Sequence, residues 1–448
     1  MQNKRKGDVL GLRPMAGVAV IAAVLASGAV YAESAAELEQ RVRQLEQELA
    51  AARAELEQAN ETIADAGEPA PSDIEFSGEG FGTLKIGGAM RANYAIGDYV
   101  SNTDGGPSRA FDDGGNFELD TFRVNADYTN GPWVGKLEYR WYDGYNFLHT
   151  GWLGFNFEDD SQIQVGVNRV PFGPGPYGVS QSWFFDQHYY VGFADDMDLG
   201  VKYTKPFGDW TFDFAYYYSD EGSYAGNSKD SARYSYDVVN ESGTGYEERN
   251  QFNVRGRYTL PDVPIDTTLG FSAQYGQLKS KGPEDDGDNY AASVHMVNKW
   301  NNFTLASQLT YYEYDVDATP LTGSDDLVLM GAFDFAWPVA AEAWIPAVSL
   351  SYYKPTPGIA WLDYVIPYVE YSSIVKDVDA FNDSQMWVLG AAWGHGGWYI
   401  YTDFAYSNGN YFVGNEGDDY GVSCVGDFGV NCNDDWNSRF NVNFGYYF

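Results

Sequence analysis

The 448-residue sequence predicts an all-β transmembrane antiparallel β-barrel of about 16 strands, with 18 as the alternative, preceded by a short α-helical coiled coil. Three observations predict it. From about Gly78 onward, apolar and polar residues alternate with period two in segments of about ten residues, the length that crosses a bilayer as a tilted strand. The apolar positions are rich in rings: 36 Tyr, 27 Phe and 13 Trp make the chain 17% aromatic. The last residues repeat the pattern, with Phe440, Val442, Phe444, Tyr446 and Phe448 alternating with Asn441, Asn443, Gly445 and Tyr447.

Residues 1–32 read as a signal peptide. Lys4, Arg5, Lys6 and Arg13 precede an apolar run from Met15 to Val30, and Val30-Tyr31-Ala32 offers a small-residue cleavage site. A membrane anchor is the alternative, but the run is short of the roughly 20 apolar residues a spanning helix needs. Residues 33–66 then place Leu38, Val42, Leu45, Leu49, Ala52, Leu56, Ala59 and Ile63 at alternating spacings of four and three. This heptad seam, flanked by Glu, Gln and Arg, predicts an oligomerising coiled coil. A lone helix of this composition is marginal in water, so the seam implies partner helices. A solvated single helix is the other reading. Gly67-Glu68-Pro69-Ala70-Pro71 ends the helix and opens a linker over 67–77.

The formal net charge is −37, and the leader is basic, so the secreted part is more acidic still. That balance excludes nucleic acid as a partner. Cys424 and Cys432 are the only cysteines, and their spacing suits one local disulfide across a loop in an oxidising compartment, with two free thiols as the alternative.

Residues 78–448 form the barrel domain. Trp210, Phe212, Phe214, Tyr216 and Tyr218 alternate with Thr211, Asp213, Ala215 and Tyr217. Phe252, Val254, Gly256, Tyr258 and Leu260 enclose Asn253, Arg255, Arg257 and Thr259. The run from Leu327 to Trp337 reads as a further strand of the same kind. A soluble sandwich also shows one apolar face per strand. Strand length and the aromatic content of that face favour lipid outside and water inside. Connections alternate between tight turns (Asn130-Gly131, Pro261 to Pro264, Asn301-Asn302) and long polar loops (220–248, 279–289, 409–435).

The stretch Gln164-Val165-Gly166-Val167-Asn168-Arg169-Val170-Pro171-Phe172-Gly173 carries a resemblance. It is similar to the Gly-x-x-x-x-Pro-Phe-Gly segment of trimeric outer-membrane porins of the phosphate-selective porin O/P group and its coiled-coil-bearing relatives. The order of leader, coiled coil, linker and barrel resembles theirs over nearly the whole chain. The resemblance implies a homotrimer in the bacterial outer membrane with its coiled coil in the periplasm. It also implies passive passage of small hydrophilic solutes, and a third long loop that folds inward. The closing strand at Phe448 resembles the signal read by the barrel-assembly machinery. No arginine ladder or lysine cluster matches residue by residue, so phosphate selectivity does not carry over.

Strand parity maps the lumen. Inward basic candidates are Lys85, Arg91, Arg123, Lys136, Arg140, Lys202, Arg255, Arg257 and Arg439. Inward acidic candidates are Asp127, Glu138, Asp213, Asp334, Glu370 and Asp403. The segment Pro171 to Asp198 is the candidate constriction loop, with Asp186, His188, Asp195, Asp196 and Asp198 placed across from the basic wall. Facing charges of opposite sign would create a transverse field acting on solutes.

Other readings are weaker. His149, His188, His295 and His395 sit in unrelated contexts, and no nucleophile elbow or His-Glu-x-x-His motif occurs, so the chain reads as non-enzymatic. The acidic run Glu284 to Asp288 has no defensible ligand spacing and reads as solvated loop charge that could bridge divalent ions to lipopolysaccharide. No cofactor or metal is implied. A substrate-biased pore for phosphate, dicarboxylates or sugars remains open, as does a non-channel anchor or adhesin.

Overall fold

The computed structural model describes residues 74–98, 115–142, 145–221, 233–241, 243–333, 335–414 and 436–448. The leader, the seam residues Leu38, Val42, Leu45, Leu49 and Leu56, the pair Cys424 and Cys432, and Asp334 lie outside the described residues.

Sixteen antiparallel strands close into one barrel. In chain order they are β1 (Gly82–Gly97), β2 (Asn116–Asn130), β3 (Trp133–Tyr142), β4 (Tyr145–Asn156), β5 (Gln162–Arg169), β6 (Met197–Phe207), β7 (Trp210–Asp220) and β8 (Thr244–Thr259). They continue with β9 (Asp266–Ser280), β10 (Gly287–Trp300), β11 (Phe303–Asp315), β12 (Glu342–Tyr352), β13 (Tyr364–Lys376), β14 (Ser384–His395), β15 (Trp398–Asn408) and β16 (Asn437–Tyr447). Each pairs with the next, and β16 pairs back onto β1 from Ala89↔Tyr447 to Gly97↔Arg439.

Two chain segments share the free edge of β1. β16 covers its second half, and Ile74–Gly78 covers the first, pairing Ile74↔Ile86 through Gly78↔Gly82. The last residues of the stretch expected as linker are therefore strand, because β1 is longer than β16 and would otherwise leave bare amides. The seam between the two is Gly88, which exchanges backbone hydrogen bonds with Phe448 at 2.7 and 2.9 Å. A Cβ at Gly88 would lie 2.9 Å from the Phe448 ring and 2.5 Å from Arg123 O, so the close approach needs glycine.

The pleat sorts side chains as the period-two pattern demands. Met90, Leu137, Leu153, Val165, Phe214, Phe252, Val294, Leu389 and Phe444 point outward and are exposed, while Asn93, Glu138, Asp213, Gln274, Ser349, Glu370, Asp403, Asn441 and Asn443 point inward and are buried. Ring pairs ring both ends of this apolar band. At the short-turn rim stand Trp133–Phe155, Trp210–Tyr258, Phe303–Tyr352 and Trp398–Tyr446. Towards the long-loop rim stand Tyr216–Phe252, Tyr311–Trp344, Tyr371–Trp387 and Tyr406–Trp436. Amphipathic rings occupy such belts where apolar and wet surroundings meet.

One segment departs from expectation. Leu327–Phe333 and Phe335–Ala340 are not a barrel strand but a hairpin that joins Arg233–Val238 in a separate three-stranded sheet. Leu327, Val328, Leu329 and Met330 are all buried. The reason lies in composition: both alternating sets of this run are apolar, whereas a wall strand needs a polar second face. The hairpin belongs to the connection between β11 and β12, and its partner strand to the connection between β7 and β8.

An outward charge tests whether this surface meets lipid. Leu389, 64% exposed in the middle of β14, should tolerate Arg within about 0.5 kcal/mol if it faces water. Facing lipid, Leu389→Arg should destabilise the barrel by about 2–4 kcal/mol in denaturant titrations of bilayer-inserted protein.

Candidate functional site

β5 ends at Arg169, and the chain from Val170 to Asp196 turns into the barrel instead of leaving its rim. The contacts of this inward loop trace its course. Gly173 N donates to Ser272 Oγ of β9 at 3.0 Å, and Arg255 of β8 reaches Gly173 O at 3.4 Å. His188 Nε2 lies 2.8 Å from Thr310 Oγ1 of β11. Ser180 Oγ and Gln181 N donate to the two carboxylate oxygens of Glu370 on β13, and Gln187 N donates to Ser372 Oγ at 3.1 Å. Trp183 N donates to Asp403 Oδ2 of β15 at 3.2 Å. A loop bonded to inner-face residues of β8, β9, β11, β13 and β15 lies across the lumen.

Its local shape follows from Asp186. One carboxylate oxygen accepts Val179 N at 2.9 Å; the other accepts His188 N at 2.8 Å and lies 2.8 Å from His188 Nδ1. Gly178 has φ 63°, and a Cβ there would sit 2.5 Å from Asp186 Oδ2. Glycine therefore serves both the left-handed backbone and the carboxylate's approach. A 3₁₀ turn, Tyr189–Val191, follows and stops at Gly192 in the left-handed region.

The loop's apolar side chains build the main core of the molecule inside the barrel. Phe172, Phe184, Tyr189, Tyr190 and Phe193 are buried against Tyr234 and Tyr236 of the inner sheet, with Trp337 and Phe412 beside them. Phe185 stacks on Tyr189 at 4.2 Å.

Contrary to expectation, the loop aspartates are buried and do not face an open basic wall; Asp195 alone feels a basic wall residue, Arg140. Asp186 is 2% exposed and wholly taken up within the loop, with His188. Asp195 accepts Arg169 at 2.8 Å and lies 3.8 Å from His149 Nε2. Burial pushes its carboxyl up, but Arg169, His149 and Arg140 prevail and hold it well below the usual carboxylate range. Asp196 and Asp198 are buried beside Asp237 of the inner sheet. A carboxylate packed into a protein interior needs partners there, and Asp186 and Asp195 have them, so these two charges hold the loop in place rather than facing water.

The basic candidates differ in their surroundings. Lys202 donates to Arg169 O at 2.9 Å, while Arg255 and Arg257 face Asp213 at 2.8 and 3.9 Å, so these three surround the root of the loop. Arg140 is 5% exposed, bound to Glu138 and covered by the Tyr234 ring at 4.6 Å. Arg91 pairs with Asp120 at 3.0 Å and Arg123 with Glu138 at 3.6 Å, both keeping partial access. Lys85 and Lys136 are exposed and form no ion pair among the described residues; both neighbour Asp127 in register on β2. Arg123 and Arg140 are direct cross-strand neighbours, and Glu138 lies against both. Arg439, fully buried, donates to Phe412 O at 2.7 Å and spans the Trp183 and Phe184 rings.

Sequence reasoning missed the anchoring role of Glu370 and Asp403. Their inward parity was visible; their loop partners, about 190 and 220 residues away along the chain, were not.

No family model and no curated protein matches the chain. Solved structures do. The outer membrane channel DcaP of Acinetobacter baumannii aligns over 83% of this chain and 99% of its own, with TM-score 0.52 and 10% identity. In-vitro folded OmpT, an outer membrane protein of Vibrio cholerae, aligns over 84% and 100%, with TM-score 0.51 and 14% identity. Salmonella typhi OmpF, in complex with daunomycin, aligns over 84% and 100%, with TM-score 0.50 and 13% identity. At such identities the likeness is one of fold.

Removing the Glu370 carboxylate leaves Gln181 N, Ser180 Oγ and Ser349 Oγ without their acceptor. Glu370→Ala should therefore loosen the loop by about 1–3 kcal/mol. Amide exchange across 179–188 should accelerate by roughly tenfold or more while β1–β16 stay protected. Unchanged exchange in that segment would refute the anchoring role.

Proposed function

We propose that this protein is an outer-membrane porin, a passive channel for ions and small hydrophilic solutes narrowed by the loop Val170 to Asp196. The observation that carries this reading is a barrel apolar outside and charged inside, with a loop bonded across its lumen. Charged groups on an inner wall need water or partners, and Lys85 and Lys136 are exposed there without ion pairs. The inward loop is bonded mainly to the β8–β15 side and the inner layer reaches the other side at Arg140 and His149, so solutes pass along the remainder of the wall formed by β1–β3. The loop aspartates are buried, and the accessible charge on this wall is Lys85, Lys136, Arg91 and Arg123 set against Asp127, with basic groups in excess. A preference for anions follows, despite the acidic chain. The heptad seam of residues 33–66 holds three copies together in the periplasm.

Reconstitution in a planar bilayer under a salt gradient tests this. Stepwise conductance with a reversal potential of anionic sign is expected, in groups of three steps for a trimer. Lys85→Glu combined with Lys136→Glu should move the reversal potential towards cations. Silence from protein shown to be folded and inserted would contradict the channel and favour a closed anchor.

A further inference from the structure

Where the inward loop rejoins the barrel at β6, the structure gathers several buried carboxylates in one place. Asp196 and Asp198 are two residues apart, and Asp237 approaches them from the inner sheet; their exposures are 7%, 1% and 1%. One oxygen from each lies within 4.8 Å of the others. Asp198 also stands directly opposite Asp220 in the β6–β7 ladder, a pairing of like charges that destabilises a sheet unless something lies between them. Glu221 and Glu248 flank the cluster, fixed by the inner strand they hold: Glu221 Oε1 accepts Tyr234 N and Ser235 N at 2.8 Å each, and Glu248 Oε1 accepts Val238 N at 2.9 Å.

The remaining oxygens point to what is needed there. Asp196 Oδ1, Asp198 Oδ1, Glu221 Oε2 and Gln251 Oε1 are shut off from solvent and accept no hydrogen bond among the described residues. The second oxygen of Asp198 is held by Gln251 Nε2 at 3.1 Å, which orients both side chains. Buried anionic oxygens without donors are among the most expensive features a protein can carry.

We propose that Asp196, Asp198 and Asp237 bind one calcium ion per chain, which clamps the inward loop to the barrel wall and to the inner sheet. The ligand chemistry is all oxygen and mostly carboxylate, the preference of a hard cation. Calcium accepts six to eight oxygens at about 2.3–2.6 Å in flexible geometry, which suits carboxylates drawn from a loop end and a sheet better than the near-ideal octahedron at about 2.0–2.1 Å that magnesium demands. The ion joins two separate parts of the chain, the junction of the inward loop with β6 and the strand Arg233–Val238, which are not ladder neighbours.

Terbium(III) serves as the probe, because Tyr217 and Tyr314 lie close enough to the cluster to feel its charges and would sensitise its emission. Full-length protein, refolded without lipopolysaccharide and stripped with EGTA, should bind one terbium ion per chain with tyrosine-sensitised luminescence that calcium competes away. Asp196→Asn with Asp198→Asn should lose the signal, and Asp285→Asn with Asp286→Asn in the neighbouring surface loop should keep it. No luminescence in the unaltered protein, or full luminescence in the Asp196/Asp198 variant, would overturn the site. Should that variant fail to fold, the unaltered protein decides alone. Calorimetry should show saturable calcium uptake at one per chain and a melting temperature higher in calcium than in EGTA. Absent heat and an unmoved melting temperature would overturn the proposal.

Discussion

Closure of β16 onto β1 is the interaction from which the rest of the structure follows. Within an apolar layer no strand edge can be left open, because water is not there to take the bare amides. The ladder from Ala89↔Tyr447 to Gly97↔Arg439, completed by Ile74–Gly78 and the Gly88–Phe448 exchange, removes the last edge. Alternation then decides everything about the wall. Each residue that faces lipid places its neighbours in the lumen, and a barrel of sixteen strands is too wide for wall side chains alone to fill.

That width explains the inner layer. The loop after β5 and the three-stranded sheet bring a second hydrophobic core inside the first shell, with Phe184, Tyr189, Tyr236 and Trp337 at its centre. Packing apolar groups against a wall that must stay polar creates a mismatch, and buried acids resolve it. Glu370 and Asp403 turn their carboxylates to the loop's backbone and hydroxyl donors, Asp186 folds the loop upon itself, and Asp195 takes Arg169. The charge that a free loop would show to solvent is thus spent on holding it, leaving the basic β1–β3 wall to govern the open side.

The barrel was legible in the sequence because its signal is local. Trp210 to Tyr218 and Phe440 to Phe448 each declare one apolar and one polar face within nine residues. The hairpin at 327–340 misled for the same reason: it alternates, but between two apolar sets, and that lack of a polar face was the available clue. The proline-rich, aromatic stretch after Arg169 marked a special loop. What its aspartates bind was not legible, since the partners of Asp195 and Asp196 include Arg169, His149 and Asp237, drawn together only by closure and by sheet pairing between distant loops. Inward parity identified Lys85, Arg91, Arg123, Lys136 and Arg140 alike, but could not tell that Tyr234 covers Arg140 while Lys85 and Lys136 stay exposed.

The proposed solute path runs along the β1–β3 wall, beside an inner layer bonded mainly to the opposite side and reaching this one at Arg140 and His149. Thiol modification tests it most directly. In protein carrying Cys424→Ser and Cys432→Ser, Lys85→Cys or Lys136→Cys would be exposed to a bulky methanethiosulfonate reagent during bilayer recording, with outward Leu389→Cys as the control. The account predicts a stepwise fall in conductance at positions 85 and 136 and none at 389. Conducting channels that ignore the reagent at both lumen positions, with modification verified by mass, would contradict it.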